Sequence, residues 1–312
     1  VSDETPKNTY PSPEYTGDPA DLPKRDYLER LEDYSAGSDL LIGLDVDGTI
    51  LRHDTSLSDR VREAILAHVA AGTHIVIATG RGVQGTQIAL DAIGLTEGIA
   101  VVSNGAMIIT IGNGDNGVAA TDFARGVAAD SVPVQLLRAH TFSPHREIKL
   151  IANGLPEAVI AVESLTGPTR ISGPFPEGEL MDDAVLVPVD ELVVPDTTRV
   201  TIRAPHMSAV EMLEAINKLG LQGVEYAVGW SAWMDLAPQG INKAVGLQEV
   251  ADLLGTTRSI TVGDSGNDCE MLAWADLGIA MGNAKDYVAS FADTMAPDVD
   301  DDGLAHVLEA LL

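Results

Sequence analysis

The first 38 residues carry few aliphatic side chains, many Pro, Asp and Glu, and no apolar periodicity. Such a stretch buries too little apolar surface to offset the entropy of ordering it, so residues 1–38 are expected to form a mobile tail, with one short helix near 24–34. On that expectation, deleting residues 1–36 leaves turnover intact. From Asp39 the pattern changes. Leu40–Leu44 is a short apolar run that ends on Asp45, the signature of a strand buried on both faces. Residues 58–71 place Val61, Ile65, Leu66 and Val69 at helical spacing, with Ser58 as a cap and Gly72 as a stop. His74–Ala78 and residues 99–103 are two further β-branched runs. Strand, helix, strand in this rhythm predicts parallel βαβ units.

The rhythm breaks after residue 105. Residues 106–111, the turn string GNGDNG at 112–117 and residues 118–123 predict a β-hairpin. The stretch to about 235 mixes strands, loops and one clear amphipathic helix at 208–219, with Val210, Leu213, Ile216 and Leu219 on one side and Gly220 after it. Near Ile241 the βαβ rhythm returns, with helices at 242–254, 268–275 and 303–311 and strands at 259–262 and Leu277–Ala280. The economical reading is an α/β fold. A doubly wound, Rossmann-like and mostly parallel core is built from 39–109 and 237–312, and an α+β cap, 110–236, is inserted into it.

Composition narrows the partners. The chain has 312 residues, 45% of them hydrophobic, enough for about two domains. A formal net charge of −28 argues against nucleic acid, which needs clustered Lys and Arg, and against anionic membranes. No apolar run reaches the length of a membrane span, and the first residues lack the apolar region of a signal peptide. The single cysteine, Cys269, permits no intrachain disulfide, which suits a reducing compartment. A cytoplasmic location is therefore expected. Oligomeric state is not readable.

In open α/β sheets ligands sit beyond the carboxyl ends of the strands, and polar groups cluster there. Asp45 ends the first strand and Asp47 follows in the turn DVDGT. Two carboxylates this close repel, and a cation beside them relieves the repulsion. One carboxylate has the chemistry to attack phosphorus, and the other to act as acid and base. Thr79-Gly80-Arg81 follows the second strand, where a hydroxyl and backbone N–H groups suit phosphate oxygens. Lys243 opens a helix; a lone helical lysine is ordinarily solvated, and only its company gives it interest. Gly263-Asp264-Ser265-Gly266-Asn267-Asp268 places two carboxylates across a tight turn, either as caps or as hard oxygen ligands for Mg²⁺. Together these are the parts phosphoryl transfer needs.

The strings GLDVDGTI, IVIATGR, VVSNGA, GINKAVGL and TVGDSGND occur in an order and spacing that resemble the haloacid dehalogenase superfamily, and within it the Cof-type, type-IIB sugar phosphatases. The resemblance spans 39–312, leaving out the tail, and departs at Ala244, where many relatives carry glycine. It implies Asp45 as nucleophile and Asp47 as general acid/base, with phosphate held by Thr79, the Gly80 amide, Lys243 and Asn267. It implies a Mg²⁺ site made by Asp45, the Asp47 carbonyl, Asp264 and Asp268, the last as ligand or supporting group, and Asn104 near the substrate. The implied substrate is a small phosphorylated metabolite, with phosphate-ester hydrolysis expected and phosphosugar isomerisation as the alternative. A phosphate-responsive receiver module would be much shorter and would lack the insertion. Trp230, Trp233, Arg199, Arg203 and His206 are candidates for cap-side contacts, each with core packing or surface exposure as the plainer reading. His53 is taken for a solvated loop residue. Replacing Lys243 by alanine is expected to weaken turnover far more than folding.

Overall fold

The computed structural model describes residues 16–112, 121–122, 131–176, 184–221, 223–228 and 232–312. In chain order the strands are β1 (Leu40–Leu44), β2 (His74–Ala78), β3 (Gly98–Val102), β4 (Met107–Ile111), β5 (Thr121–Asp122), β6 (Val134–Ala139), β7 (Val159–Ser164), β8 (Arg170–Ile171), β9 (Val185–Leu186), β10 (Thr197–Arg203), β11 (Val224–Val228), β12 (Trp233–Pro238), β13 (Arg258–Gly263), β14 (Leu277–Ala280) and β15 (Thr294–Met295). The helices are α1 (Tyr27–Leu31), α2 (Asp59–Ala70), α3 (Val83–Ile93), α4 (His145–Gly154), α5 (Ala209–Leu219), α6 (Lys243–Leu254), α7 (Cys269–Trp274), α8 (Asp286–Ala289) and α9 (Gly303–Glu309).

Among the described residues the larger sheet runs in the order β15-β14-β13-β1-β2-β3-β4-β6-β5. It is parallel from β15 to β3 and antiparallel beyond. Its central strand shows why the apolar run of β1 is continuous. Leu40, Ile42 and Leu44 join the cluster under α2 and α9, while Leu41 joins the cluster under α6, so both faces are covered. On α2 the buried side is Val61, Ala64, Ile65 and His68, with Ser58 capping through Val61 N as expected. The buried imidazole of His68 is accommodated by Thr73 Oγ1 at 3.2 Å and the Leu308 carbonyl at 2.8 Å.

The second sheet has the order β11-β12-β10-β7-β8-β9 and its own apolar cluster, in which Ile160, Val162, Val200, Ile202 and Leu236 meet Ile148, Ile151, Met212 and Ile216 of α4 and α5. Strand periodicity places Glu163, Arg199, Thr201, Arg203, Trp233 and Asp235 on the opposite face, since Arg199 pairs with Glu163, Thr201 with Asp235 and Arg203 with Trp233. One face of this sheet is therefore apolar under helices and the other polar. No helix among the described residues is long and apolar enough to cross a membrane.

Four expectations need correction. The hairpin of 106–111 with 118–123 does not form: β4 pairs with β6, and β5 with β6. Both are antiparallel to β6, so β4 and β5 run in the same direction with β6 between them, and residues 113–120 lie outside those described. In consequence β5 and β6 extend the larger sheet, so the insertion begins after Ala139 rather than at 110. On α5 the buried residues are Met212 and Ile216, and Val210 is exposed.

The mobile tail also fails over its second half. Leu31 is buried in the core, Tyr27 and Tyr34 pack on it, and Arg258 lies 4.1 Å over the Tyr34 ring. The Lys24 carbonyl accepts from Met295 N and Thr294 Oγ1, and Ala36 N donates to the Leu311 carbonyl. Three apolar side chains in an otherwise polar stretch suffice to dock it. Deleting residues 1–36 therefore uncovers core surface. The burial of Leu31 alone is worth about 2 kcal/mol, so a melting scan of the truncated chain should show a midpoint lower by roughly 4 °C or more; an unchanged midpoint would mean the docked segment contributes nothing.

Candidate active site

The parallel strands deliver their polar ends to one edge of the larger sheet. Asp45 follows β1, Thr79 follows β2, Ser103-Asn104-Gly105 follows β3, Asp264 follows β13, and Asn283 lies three residues past β14. Lys243 is the first residue of α6, whose start is capped by the Asn242 side chain accepting from Val245 N at 3.1 Å. An ammonium at a helix start is disfavoured by the helix dipole. Here two carboxylates offset it: Lys243 Nζ donates to Asp45 Oδ1 at 2.6 Å and to Asp268 Oδ1 at 2.7 Å. Lys243 is 0% exposed, so the solvated reading does not hold for it.

The second oxygen of Asp268 accepts from Asp264 N at 3.0 Å and Ser265 N at 2.9 Å, which fixes the turn carrying Asp264. Both Asp268 oxygens are thus engaged within the protein. Asp264 meets Asn283 Nδ2 at 3.1 Å, and the same amide donates to the Gly48 carbonyl at 2.9 Å. Asn283 thereby ties the DVDGT turn to the Asp264 turn. Gly48 is required twice over: its φ is +83°, and a Cβ there would overlap the Asp264 carboxylate. Asp45, Asp264 and Asp268 each offer an oxygen within 4.8 Å of the others.

Three carboxylates around one ammonium leave negative charge without a partner. Burial, then the Asp268 charge, lifts the Asp45 carboxyl to about 7 despite Lys243. Burial and the Asp45 and Asp268 charges push Asp264 well above the usual carboxylate range. Burial opposes the charge on Lys243, but Asp268 and Asp45 more than restore it, and its ammonium is held above the ordinary lysine value. Hard oxygen donors, deep burial and uncompensated negative charge together fit a divalent cation.

Beside this cluster Thr79 is 1% exposed, and its Oγ1 accepts from Arg81 N at 3.1 Å. Ser103, Asn104 and Gly105 all adopt positive φ, a strained turn for the first two residues and the kind found at functional positions. It brings Asn104 N onto the Thr79 carbonyl at 3.0 Å and Asn104 Oδ1 onto Asn267 Nδ2 at 2.9 Å. Gly80 lies directly against both amides. The Asp47 side chain is more than half exposed and is gripped by Arg81, whose Nη2 and Nε reach its two oxygens at 2.6 and 2.8 Å.

The structure thus brings Asp45, Asp264, Asp268 and Lys243 into one cluster, with Thr79, Gly80, Asn104 and Asn267 adjoining and Asp47 on Arg81. Of the cap-side candidates, Arg199 and Trp233 reach Asp235, which contacts Asn104. Arg203 shares their face, His206 lines a separate cavity with Leu155, Pro156 and Met207, and His53 is exposed. Trp230 lies outside the described residues. Sequence reasoning passed over Arg81, Asn283, Glu163 and Asp235. Arg81 stood inside a quoted string, Asn283 followed a strand end, and Asp235 interrupts the apolar strand β12; each carried a signal of position that nothing else in the sequence supported.

A family model described as haloacid dehalogenase-like hydrolase matches residues 42–132 and 189–308, more than half of the chain. The chain is 26% identical over 273 residues to a 5-amino-6-(5-phospho-D-ribitylamino)uracil phosphatase of Bacillus subtilis, covering 86% of this chain and 96% of that protein. It is 25% identical over 272 residues to a phosphoglycolate phosphatase of Natronomonas pharaonis, covering 86% and 96%. Among solved structures, a subclass IIB sugar phosphatase superposes with a TM-score of 0.67 at 21% identity, covering 86% of this chain and 97% of that one.

Proposed function

The chain belongs to the haloacid dehalogenase-like hydrolases, as one of their phosphatases, and on that premise we propose that it is a Mg²⁺-dependent phosphatase of small phosphorylated metabolites, sugar phosphates foremost, with Asp45 as nucleophile. The observation that carries this reading is the buried Asp45–Lys243–Asp268 chain beside Asp264, at the carboxyl ends of β1 and β13.

An Asp45 oxygen attacks phosphorus, the ester oxygen leaves, and an aspartyl-phosphate results. Water then attacks the same phosphorus, releasing phosphate and restoring Asp45. Asp47 gives the leaving oxygen its proton and later takes one from the water. Its grip on Arg81 is exchanged for the leaving oxygen in the first step. Lys243 holds the Asp45 carboxylate in line and neutralises a phosphate oxygen. Thr79, the Gly80 amide and Asn267 receive the remaining phosphate oxygens. Asp45, the Asp47 carbonyl and Asp264 would hold Mg²⁺, which when bound would supply positive charge to offset the negative charge of the phosphoryl group and the carboxylates. Asp268, with both oxygens committed, serves that site by holding Lys243 and the Asp264 turn rather than as a ligand. The mutase alternative is not favoured, the matched relatives named above being phosphatases.

Phosphate release from a panel of phosphorylated metabolites, with Mg²⁺ and with chelator, tests the reading; release that persists in chelator would overturn the metal requirement. A second expectation follows from the raised carboxyls. Without metal, Asp45 and Asp264 bind protons more tightly folded than unfolded, so their cluster costs stability as pH rises from about 4 through about 7. Mg²⁺ competes with those protons. The rise in melting midpoint on adding Mg²⁺ should therefore be larger at pH 8 than at pH 5.5, and an equal or reversed difference would contradict a site built on these carboxylates.

A further inference from the structure

The polar face of the second sheet meets the candidate site through two carboxylates. Asp235 is divided between the two sheets. Its Oδ1 accepts from Arg199 Nε at 3.1 Å, Thr201 Oγ1 at 3.0 Å and Trp233 Nε1 at 3.1 Å, with Arg199 Nη2 at 2.9 Å. Its Oδ2 meets Asn104 Nδ2 at 3.3 Å. Glu163 is divided in the same way. Its Oε1 accepts from Arg199 Nη1 at 2.9 Å, while its Oε2 lies against Gly82, where a Cβ would overlap it. In each case the inner oxygen holds Arg199 and the outer oxygen faces the larger sheet.

The outer oxygens lie beside residues that adjoin the candidate site. Asn104 bonds Asn267, and both amides lie on Gly80, so Asp235 is two hydrogen bonds from the residues that adjoin Thr79. Gly82 is three residues from Thr79. Arg199, with a side chain only 10% exposed, is shared between the two carboxylates, leaving the trio one negative charge in excess. A carboxylate oxygen accepts hydrogen bonds and donates none when ionised. It rewards hydroxyl or amine donors and repels a second anion.

We propose that Glu163 and Asp235 are the residues that discriminate among leaving groups: their outer oxygens accept hydrogen bonds from hydroxyl or amino groups and disfavour esters whose alcohol carries a carboxylate or a second phosphate. The proposal rests on the phosphatase reading above and adds the chemistry of the alcohol. Arg199 acts here as a positioning residue that orients the two carboxylates, and Thr201 and Trp233 set the Asp235 ring of contacts.

The test compares kcat/KM of wild type and Glu163→Gln on p-nitrophenyl phosphate, on the best of glucose 6-phosphate, ribose 5-phosphate and sorbitol 6-phosphate, and on phosphoglycolate. Glutamine keeps the shape and an oxygen for Arg199. Wild type should favour the polyol ester over phosphoglycolate by roughly tenfold or more, the scale of one charge-assisted hydrogen bond. In Glu163→Gln the ratio of polyol ester to p-nitrophenyl phosphate should fall about tenfold, and the discrimination against phosphoglycolate should narrow. Equal losses on all three substrates would show a structural role and overturn the proposal. So would unchanged ratios, or a wild-type preference for phosphoglycolate, a comparison that does not depend on the variant folding. A wild type inert toward p-nitrophenyl phosphate as well as the metabolites would instead overturn the phosphatase reading itself.

Discussion

Asp45→Asn should abolish metal-dependent phosphate release, lowering kcat by roughly 10⁴-fold or more, the scale on which a nucleophile's loss is felt. The amide has the same shape and cannot form the acyl phosphate. Its effect on folding should be small, and the reason is electrostatic. Asp45 is buried beside Asp268, and its carboxyl is raised to about 7, so the ionised side chain is an expensive one for the fold to hold. Asparagine relieves that repulsion and still offers Lys243 an oxygen. A melting midpoint within a few degrees of wild type, with activity gone, separates loss of chemistry from loss of structure. Full activity in the variant would exclude Asp45 as nucleophile.

Lys243→Ala should damage both turnover and stability, against the expectation from sequence that turnover would suffer far more than folding. Its ammonium is the shared partner of Asp45 and Asp268, and it is 0% exposed. Removing it leaves two buried carboxylates facing each other with no cation. Breaking such a pair costs about 3–5 kcal/mol, which should lower the melting midpoint by on the order of 10 °C. At a temperature where the variant remains folded, kcat should still fall by roughly 10²- to 10³-fold, because a charge that stabilises the transferring phosphoryl group is gone. Mg²⁺ should recover part of the lost stability. A folded variant with wild-type turnover would remove the lysine from the mechanism.

The contrast between these two residues shows what the sequence could tell. Strand ends were legible because buried parallel strands are continuous apolar runs, and Asp45, Thr79 and Asp264 stand at the residue where each run stops. Helix limits were legible where capping chemistry marks them, as at Ser58, Ser208 and Asn242. Lys243 was placed on the right helix, but burial is a property of what packs across it, and no periodicity reports that. Pairing was similarly hidden. β6 takes the edge beside β4 through contacts between strands more than 20 residues apart, which a local turn signal does not encode. The docking of α1 depends on Leu31 joining the apolar cluster that also holds Leu308 and Leu311, and composition averaged over the segment concealed it. Arg81, Asn283, Glu163 and Asp235 matter through partners distant in the chain, Asp47, Gly48, Gly82 and Asn104 respectively. Each is an ordinary polar residue until the fold supplies that partner.

The phosphoryl group is expected to pass through Asp45. Acid quenching of the Mg²⁺-loaded enzyme during turnover of p-nitrophenyl phosphate, followed by borohydride reduction and peptide mass spectrometry, tests it most directly, since an acyl phosphate is reduced to the alcohol at the residue that carried it. Homoserine is expected at position 45 in wild type, appearing only with Mg²⁺ and substrate, and none in Asp45→Asn. Reduction at another carboxylate, or turnover with no trapped residue in an enzyme that accumulates the intermediate, would contradict it.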